Sequence, residues 1–157
     1  EVPKSGGDTL FCNMTAAYEA LSEVMKNILA PLRAINDFAH TAKNQFSKND
    51  VVERDFGSTN SSSHPVVRTH LETGKKSLFI NPGMTTHLEN FCSEESAAIL
   101  ELLFKLAIKP EFCIRHSYKV GDVVMWDNRS VLHYAVNDYA DQPRYMERTT
   151  NIGEKPI

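Results

Sequence analysis

The sequence predicts a mainly β fold with inserted helices, either a β-sandwich or a jelly roll. Short segments of alternating apolar and polar residues recur along the chain and end at turn sequences, as strands in such folds do. Two stretches with apolar residues at helical spacing interrupt them. The chain has 157 residues, enough to bury about 70% of the surface that is exposed when it is unfolded, so one domain over residues 1–157 is expected.

The composition argues against several classes of protein. Seventeen Lys and Arg residues against twenty Asp and Glu residues give a net charge of −3, which is not the balance of a nucleic-acid-binding surface. The apolar runs fall well short of the about 20 residues that cross a membrane. The three cysteines are odd in number and lack C-x-x-C spacing, which predicts reduced, mostly buried thiols in a cytoplasmic protein rather than disulfides.

The first helix is predicted over residues 17–32, where apolar side chains recur every three or four positions. Asn13 or Thr15 can cap its N-terminus. Pro31 should kink or end it, because proline lacks the backbone N–H that the helix needs.

The second helix is predicted to begin with the Ser-Glu-Glu sequence of residues 93–95, a cap followed by an acidic first turn. It should continue through the apolar residues 97–108 and stop at Pro110. Between the two helices, residues 43–64 are polar and include a Gly- and Ser-rich run, which predicts a loop. A floppy surface loop and a mobile flap over a site are both open as interpretations.

The rest of the chain has the pattern of strands. Residues 66–69 and 77–80 flank a turn at residues 72–75 and are predicted to pair as a hairpin. Alternation over residues 112–120 predicts a half-buried strand, with His116 as a packed core residue on its apolar face. Further strands are predicted over residues 123–126, 131–136 and 144–152.

The densest group of polar residues lies in the last thirty positions and contains His133, Arg144 and Arg148. On a strand, alternate side chains share a face, so the two arginines would point one way and Glu147 the other. If the strand with His133 lies beside it, two guanidinium groups and an imidazole converge on a cavity that needs an anion, for which a carboxylate is suited. The alternative is that both arginines pair with surface carboxylates.

Two H-x-E pairs offer another hypothesis. On a strand, His70 with Glu72, or His87 with Glu89, would place an imidazole and a carboxylate on one face. With His133 as a third ligand, either pair would form the facial triad of a non-haem iron centre. A pattern with two fixed positions often arises by chance, and the first pair lies at the predicted hairpin turn. This metal site, whose three ligands would all come from this chain, is therefore kept only as an alternative.

Nine motifs follow one another along the chain. They are Gly-Gly-Asp-Thr at residues 6–9, Ala-Ala-Tyr-Glu-Ala-Leu at 16–21, His-Pro-Val-Val-Arg-Thr-His at 64–70, Gly-Lys at 74–75, Leu-Phe-Ile-Asn at 78–81, Gly-Asp at 121–122, Trp-Asp-Asn-Arg at 126–129, His-Tyr-Ala at 133–135, and the arginine-bounded segment 144–148. In content and order they resemble the taurine dioxygenase family, the Fe(II)- and 2-oxoglutarate-dependent oxygenases.

The resemblance implies a double-stranded β-helix (jelly roll) that lacks its N-terminal strands, with a site for Fe(II), 2-oxoglutarate and O₂. His133 matches the distal iron ligand. Arg144 matches the arginine that binds the far carboxylate of 2-oxoglutarate, and Thr9 matches the hydroxyl beside it. Arg148 matches the arginine that binds the substrate's sulfonate, and Met84 stands where the taurine enzyme has an aromatic residue in its substrate pocket.

The implied reaction hydroxylates a small anionic organic substrate while 2-oxoglutarate and O₂ yield succinate and CO₂. With taurine or another alkylsulfonate, the hydroxylated product releases sulfite and an aldehyde; a carboxylate, aryloxyacid or sulfate ester is the alternative substrate. The family's H-x-D iron ligands lie upstream of its Gly-Gly-Asp-Thr motif, so we expect the C-terminal part of a longer protein, inactive alone and self-associating as family members do. A truncated, non-catalytic binding protein is the remaining alternative.

Overall fold

The computed structural model describes residues 1–37 and 61–157. In chain order these residues form β1 (Thr9–Asn13), α1 (Met14–Glu19), α2 (Glu23–Leu29), β2 (Arg33–Asp37), β3 (Ser61–Pro65), β4 (Val67–Thr69), β5 (Lys76–Leu78), β6 (Thr85–Leu88), α3 (Ser93–Ala107), a 3-10 turn (Pro110–Phe112), β7 (Cys113–His116) and β8 (Val131–Ala135). The described part is mainly β with few helices, as predicted. None of its helices is long and apolar enough to cross a membrane.

The strands form three small antiparallel sheets. β1 is the central strand of the first, between β7 and β8. β2 is the central strand of the second, between β3 and β6. β4 and β5 form the predicted hairpin. Because β1 has a partner on each side, it determines how β7 and β8 lie relative to each other.

The single helix predicted over residues 17–32 is two helices in the structure. Asn13 caps α1, as predicted, by accepting a hydrogen bond from a backbone N–H in the first turn at 3.0 Å. The chain then starts a new helix at Ser22, whose hydroxyl accepts from the N–H of Met25 at 3.2 Å. A serine in extended conformation satisfies a free N–H at a helix start, which explains the restart. α2 ends before Pro31, as predicted.

The second predicted helix is confirmed as α3. Its N-cap residue is Cys92 rather than Ser93, and the N–H of Cys92 donates to Glu95 Oε2 at 3.3 Å. Leu100 and Leu103 lie on its buried side. The helix ends just before the predicted proline stop.

The hydrophobic core lies where the helices pack against the β4–β5 hairpin and against the second sheet. α1 packs against β5, where the hydroxyl oxygens of Thr15 and Ser77 are 2.7 Å apart. α3 packs against β6, where the N–H of Leu88 donates to the hydroxyl of Ser96 at 2.9 Å. Buried hydroxyls need such partners. The largest fully buried apolar side chains are Leu29, Leu78, Leu88, Leu103 and Val66.

Two predicted strands are absent, so those predictions are wrong. Residues 123–126 and 144–152 have no regular secondary structure. Val123 and Met125 are 88% and 91% exposed, so the described residues leave these two of the apolar side chains that suggested a strand uncovered. The N–H of Tyr145 donates to the carbonyl of Glu1 at 3.0 Å, but no ladder continues from there within the described ranges, and a strand needs a neighbour along its length.

Part of the predicted loop at residues 43–64 is instead a strand. Residues 61–64 belong to β3, and the register with β2 sets Ser63 opposite Ile35. A serine-rich segment can form a strand when a neighbour supplies the backbone partners, because strand formation depends on context more than on propensity. The remainder of that loop, residues 43–60, lies outside the described residues.

The prediction of reduced, buried thiols is wrong. Cys12 of β1 and Cys113 of β7 are register partners with Cα atoms 4.1 Å apart, and they form a disulfide. Cys92 is free but exposed. The two paired cysteines are 101 positions apart in sequence, so only strand pairing brings them together.

The core assignment predicts that Leu103→Ala lowers the free energy of unfolding by about 2–5 kcal/mol, because truncating a fully buried leucine leaves a cavity. Urea denaturation followed by circular dichroism measures the change. Leu102→Ala is the matched control: the side chain is 50% exposed, so the expected loss is about 0.5 kcal/mol. Equal losses at the two positions would contradict this core.

Candidate functional site

The register of the first sheet places His133 and Thr9 on one face. Phe11 of β1 is paired with His133 of β8, and Thr9 is paired with Ala135. Paired residues in an antiparallel sheet project to the same face, as do residues two apart along a strand. Two of the predicted site residues therefore lie together, with Thr9 buried and His133 half-buried.

Two aromatic side chains, which also contact each other, pack against the His133 ring. The ring centres of Phe11 and Trp126 lie 6.4 Å and 5.0 Å from it, and 5.2 Å from each other. Burial lowers the pKa of His133, and the positive charge of Arg148 lowers that pKa further. At neutral pH the imidazole is therefore uncharged and keeps a nitrogen lone pair, the form that binds a metal ion.

Arg144 is held beside the segment that leads into Thr9. Its Nε donates to the carbonyl of Gly7 at 2.8 Å, and its guanidinium carbon lies 5.8 Å from the ring centre of Tyr118. The Nη groups have no hydrogen-bond partner among the described residues, which leaves a planar pair of donors suited to a carboxylate. The Tyr118 ring meets His116 edge-on at 4.7 Å, and His116 is the other register partner of Thr9.

His116 itself is not a packed core residue, so that prediction is wrong. Its side chain is 35% exposed, and its Nε2 lies 3.9 Å from Asp122 Oδ2. On the same face of β7, Ile114 is 68% exposed. The apolar alternation that suggested a core position therefore belongs to a face that the described residues leave uncovered.

Arg148 and Met84, the other two predicted site residues, lie in different parts of the structure. Arg148 is exposed, and it lies near enough to His133 for its charge to lower the pKa of that residue. Met84 lies in the turn before β6, where its N–H donates to the carbonyl of Asn81 at 3.0 Å and its carbonyl accepts from the N–H of Asp37 at 2.8 Å. Met84 is thus attached to the second sheet and not to the one that carries His133.

Three charged side chains near the site were not identified from the sequence. Arg115 donates through Nε to Asp8 Oδ2 at 2.5 Å and through Nη2 to Asp138 Oδ2 at 2.7 Å. Asp138 Oδ1 accepts from the N–H of Gly7 at 2.8 Å. These contacts lower the pKa of both carboxyls, chiefly through Arg115 at Asp8 and through the Gly7 N–H at Asp138. No local sequence pattern signals the group, because Arg115 is 107 positions from Asp8 and 23 from Asp138.

Asp127 and Arg129 shape the turn that leads into β8. Asp127 Oδ1 accepts from the backbone N–H of Arg129 at 2.8 Å, and Oδ2 accepts from its Nη2 at 2.7 Å. The Asp127 carbonyl accepts from the N–H of Val131, the first residue of β8, at 3.0 Å. The buried His70 places its Nε2 3.1 Å from Asp127 Oδ2. This turn therefore sets where the strand with His133 begins.

The alternative metal sites on His70 or His87 are not formed. Glu72 accepts from Arg129 Nη1 at 3.2 Å, and His87 is beside a neighbouring threonine hydroxyl at 3.0 Å. In residues 1–37 and 61–157, no three His, Cys, Asp or Glu side chains converge to hold a metal ion. His133 is thus a single candidate ligand, and its neutral imidazole fits a metal centre that other ligands complete.

The Asp127 turn predicts an acid-dependent loss of stability. Arg129 holds the pKa of Asp127 well below its usual range, so the unfolded state takes up the proton first as pH falls. The stabilisation is complete above the ordinary carboxyl pKa of about 4 and decreases as pH falls below it. We expect Asp127→Asn to cost about 1 kcal/mol at pH 7, a value reduced because solvent screens the partly exposed pair.

Denaturant titrations from pH 7 to pH 3 measure this difference, which should shrink below about pH 4. The exposed Asp141 supplies the control, since Asp141→Asn removes a carboxylate outside this turn. A difference for Asp127→Asn that stays constant down to pH 3 would contradict the pairing.

Known proteins similar to this chain include an alkylsulfatase from Acinetobacter baylyi, which is 40% identical over 98% of this chain and 50% of its own length. A 2,4-dichlorophenoxyacetate dioxygenase from a Burkholderia species is 38% identical over 98% of this chain and 51% of its own length. The crystal structure of a taurine dioxygenase from Burkholderia xenovorans superposes with a TM-score of 0.73 and 33% identity over 87% of this chain and 44% of that one. The chain spans about half the length of the relatives it matches.

The family model described as taurine catabolism dioxygenase TauD, TfdA family, matches residues 1–150. That range contains the first sheet, with Thr9 and His133, and the segment with Arg144 and Arg148. The chain therefore belongs to the TauD/TfdA family of dioxygenases.

Proposed function

We propose that this chain is the C-terminal portion of an Fe(II)- and 2-oxoglutarate-dependent dioxygenase domain with a double-stranded β-helix fold. The proposed substrate is a small organic anion, taurine or another alkylsulfonate. One observation carries the proposal: His133 and Thr9 share a sheet face, and Arg144 is bound to Gly7, two residues before Thr9. A neutral imidazole suited to metal binding is thereby paired with β1, and a guanidinium suited to carboxylate binding is bonded to the segment that leads into β1.

Exposed apolar residues in β7 and in the segment that follows it support the proposal that this chain is part of a larger domain. Ile114, Val120 and Met125 are 68%, 83% and 91% exposed. Large apolar side chains exposed to this degree within a short segment are consistent with a face that other protein covers. Since the matched relatives are about twice as long, the rest of such a domain would supply the covering strands.

His133 would be one of three iron ligands. The other two, the H-x-D pair of the family, would come from the remainder of the domain. Bound iron supplies the redox chemistry that couples oxidation of 2-oxoglutarate and substrate to reduction of O₂. The chain's own part is to keep the imidazole neutral, by burial and by the nearby cation, and to hold its ring against Phe11 and Trp126.

Arg144 and Thr9 would bind 2-oxoglutarate. Because Nε of Arg144 is already engaged by Gly7, its Nη pair can donate to the distal carboxylate in the bidentate arrangement that arginine favours. The hydroxyl of the buried Thr9 can donate to the same carboxylate. The two residues would fix the long axis of the cosubstrate relative to His133.

Arg148 would bind the anionic group of the substrate, since it is a second cation close to His133. A sulfonate held there by Arg148 would leave its adjacent carbon as the position to be oxidised, and hydroxylation of that carbon would release sulfite and leave an aldehyde. Met84 would line the pocket, where a flexible thioether adapts to different substrate shapes. Because an alkylsulfatase and an aryloxyacetate dioxygenase are 40% and 38% identical to this chain, a sulfate ester or aryloxyacid is the second candidate substrate.

The ligand assignment predicts that His133→Ala abolishes the visible metal-to-ligand charge-transfer band formed when Fe(II) and 2-oxoglutarate are added anaerobically to the full-length protein. Arg144→Ala should keep a band but weaken 2-oxoglutarate binding roughly 10–100-fold, because charge-assisted hydrogen bonds are lost. Absorption titration measures both effects. The exposed His87, on the second sheet, gives the control variant His87→Ala, which should retain the band. A folded wild type without the band, or a band that persists in His133→Ala, would sink the assignment.

The substrate assignment predicts that Arg148→Ala raises the KM for an alkylsulfonate at least tenfold, through loss of a charge-assisted contact. The affinity for 2-oxoglutarate should change by less than about twofold, since Arg144 remains. Sulfite release gives the KM, and the charge-transfer titration gives the cosubstrate affinity. Lys155→Ala removes an exposed cation elsewhere as the control. Equal effects on both quantities would mean that Arg148 serves the cosubstrate instead.

A further inference from the structure

The ion network of Asp8, Arg115 and Asp138 lies on the opposite face of the first sheet from His133. Arg115 is paired with Leu10, and its neighbours Ile114 and His116 are paired with Phe11 and Thr9. Since side chains alternate along a strand, Arg115 projects away from the face that holds the candidate site. It therefore cannot act by touching a ligand bound on that face.

The network nevertheless reaches the site through Gly7. Asp138 joins Arg115 to the N–H of Gly7, and the carbonyl of Gly7 accepts from Arg144 Nε at 2.8 Å. The backbone after Gly7 is held too, because the carbonyl of Asp8 accepts from the N–H of Val136 at 2.9 Å. The N–H and the carbonyl of Gly7 belong to the two peptide units that meet at its Cα. The hydrogen bond from this N–H to Asp138 therefore restrains the direction of the carbonyl, and with it the orientation of the Arg144 guanidinium.

Gly7 leaves little room for Arg144 to move. Its φ is +71°, a region that glycine adopts readily and other residues avoid. A Cβ at this position would lie 2.8 Å from Pro3 Cγ and 3.1 Å from Arg144 Cδ. The Arg144 side chain therefore packs directly on the Gly7 backbone, so a displacement of that peptide must displace the guanidinium.

We propose that Arg115 is a positioning residue for the dicarboxylic cosubstrate: through Asp8 and Asp138 it fixes the backbone at Gly7, whose carbonyl orients Arg144 toward the distal carboxylate. This inference rests on the proposed role of Arg144 in 2-oxoglutarate binding. The hydrogen bonds from Arg115 lower the pKa of Asp8 and help to lower that of Asp138, so the network stays charged at neutral pH.

The test uses the full-length protein and the variants Arg115→Gln and Arg115→Lys. Arg115→Gln should raise the Kd and KM for 2-oxoglutarate roughly tenfold, the loss expected for one charge-assisted hydrogen bond. It should leave kcat at saturating 2-oxoglutarate and the KM of the primary substrate within about twofold, because His133 and Arg148 are not touched. Arg115→Lys keeps the charge and should recover part of the affinity. Lys119→Gln removes a nearby exposed cation as the control.

A double-mutant cycle separates positioning from general damage. If Arg115 acts through Arg144, then Arg115→Gln should have no further effect on 2-oxoglutarate affinity in an Arg144→Ala background. Additive losses in the double variant would overturn the proposal, as would an unchanged Kd in Arg115→Gln. Should Arg115→Gln fail to fold, Arg115→Lys carries the same cycle.

A measurement without metal or cosubstrate distinguishes this inference from the proposed function. In the apo protein, hydrogen exchange at the Gly7 amide should be faster in Arg115→Gln than in wild type, since Asp138 loses its anchor. An unchanged exchange rate at the Gly7 amide in Arg115→Gln would overturn the proposed positioning role of Arg115. The other outcome is that wild type binds no 2-oxoglutarate while exchange at the Gly7 amide still responds to substitution of Arg115. In that case Arg115 does hold the Gly7 backbone, and it is the proposed function that fails.

Discussion

The antiparallel pairing of β1 with β7 and β8 is the constraint on which the candidate site depends. It sets Phe11 opposite His133 and Thr9 opposite His116. Because the side-chain period of a strand is two, a slip of one residue in either pairing would turn these groups to the other face. The register is held at both ends, by the Asp8–Arg115 ion pair and by the N–H of Met14 donating to the Ser130 carbonyl at 2.9 Å.

The two faces of the first sheet carry different polar groups. Carboxylates are matched with Arg115 on one face, where they hold backbone in place. The other face carries the neutral imidazole of His133, whose pKa is lowered by burial and also by the charge of Arg148. The Nη donors of Arg144 have no partner among the described residues. A carboxylate bonded to Arg144 would occupy the donors that the proposed anionic ligand needs.

Local sequence patterns were enough to predict several elements. The Asn13 cap, the second helix and the hairpin turn all depend on residues a few positions apart, whose effect on the backbone is the same in most contexts. The strand predictions at residues 123–126 and 144–152 failed for the opposite reason. A strand needs hydrogen-bonding neighbours, and alternation alone does not say whether neighbours exist.

The sequence by itself determined the Asn13 cap, the second helix and the hairpin, because short-range geometry acts on contiguous residues. The family pattern in the sequence also predicted His133, Arg144 and Thr9 as site residues. Only the tertiary structure decided that Cys12 meets Cys113 and that the 61–64 segment pairs with β2. It also decided that Asp138 links Arg115 to the N–H of Gly7. Each of these contacts joins distant positions, and its geometry follows from strand register, which no local pattern encodes.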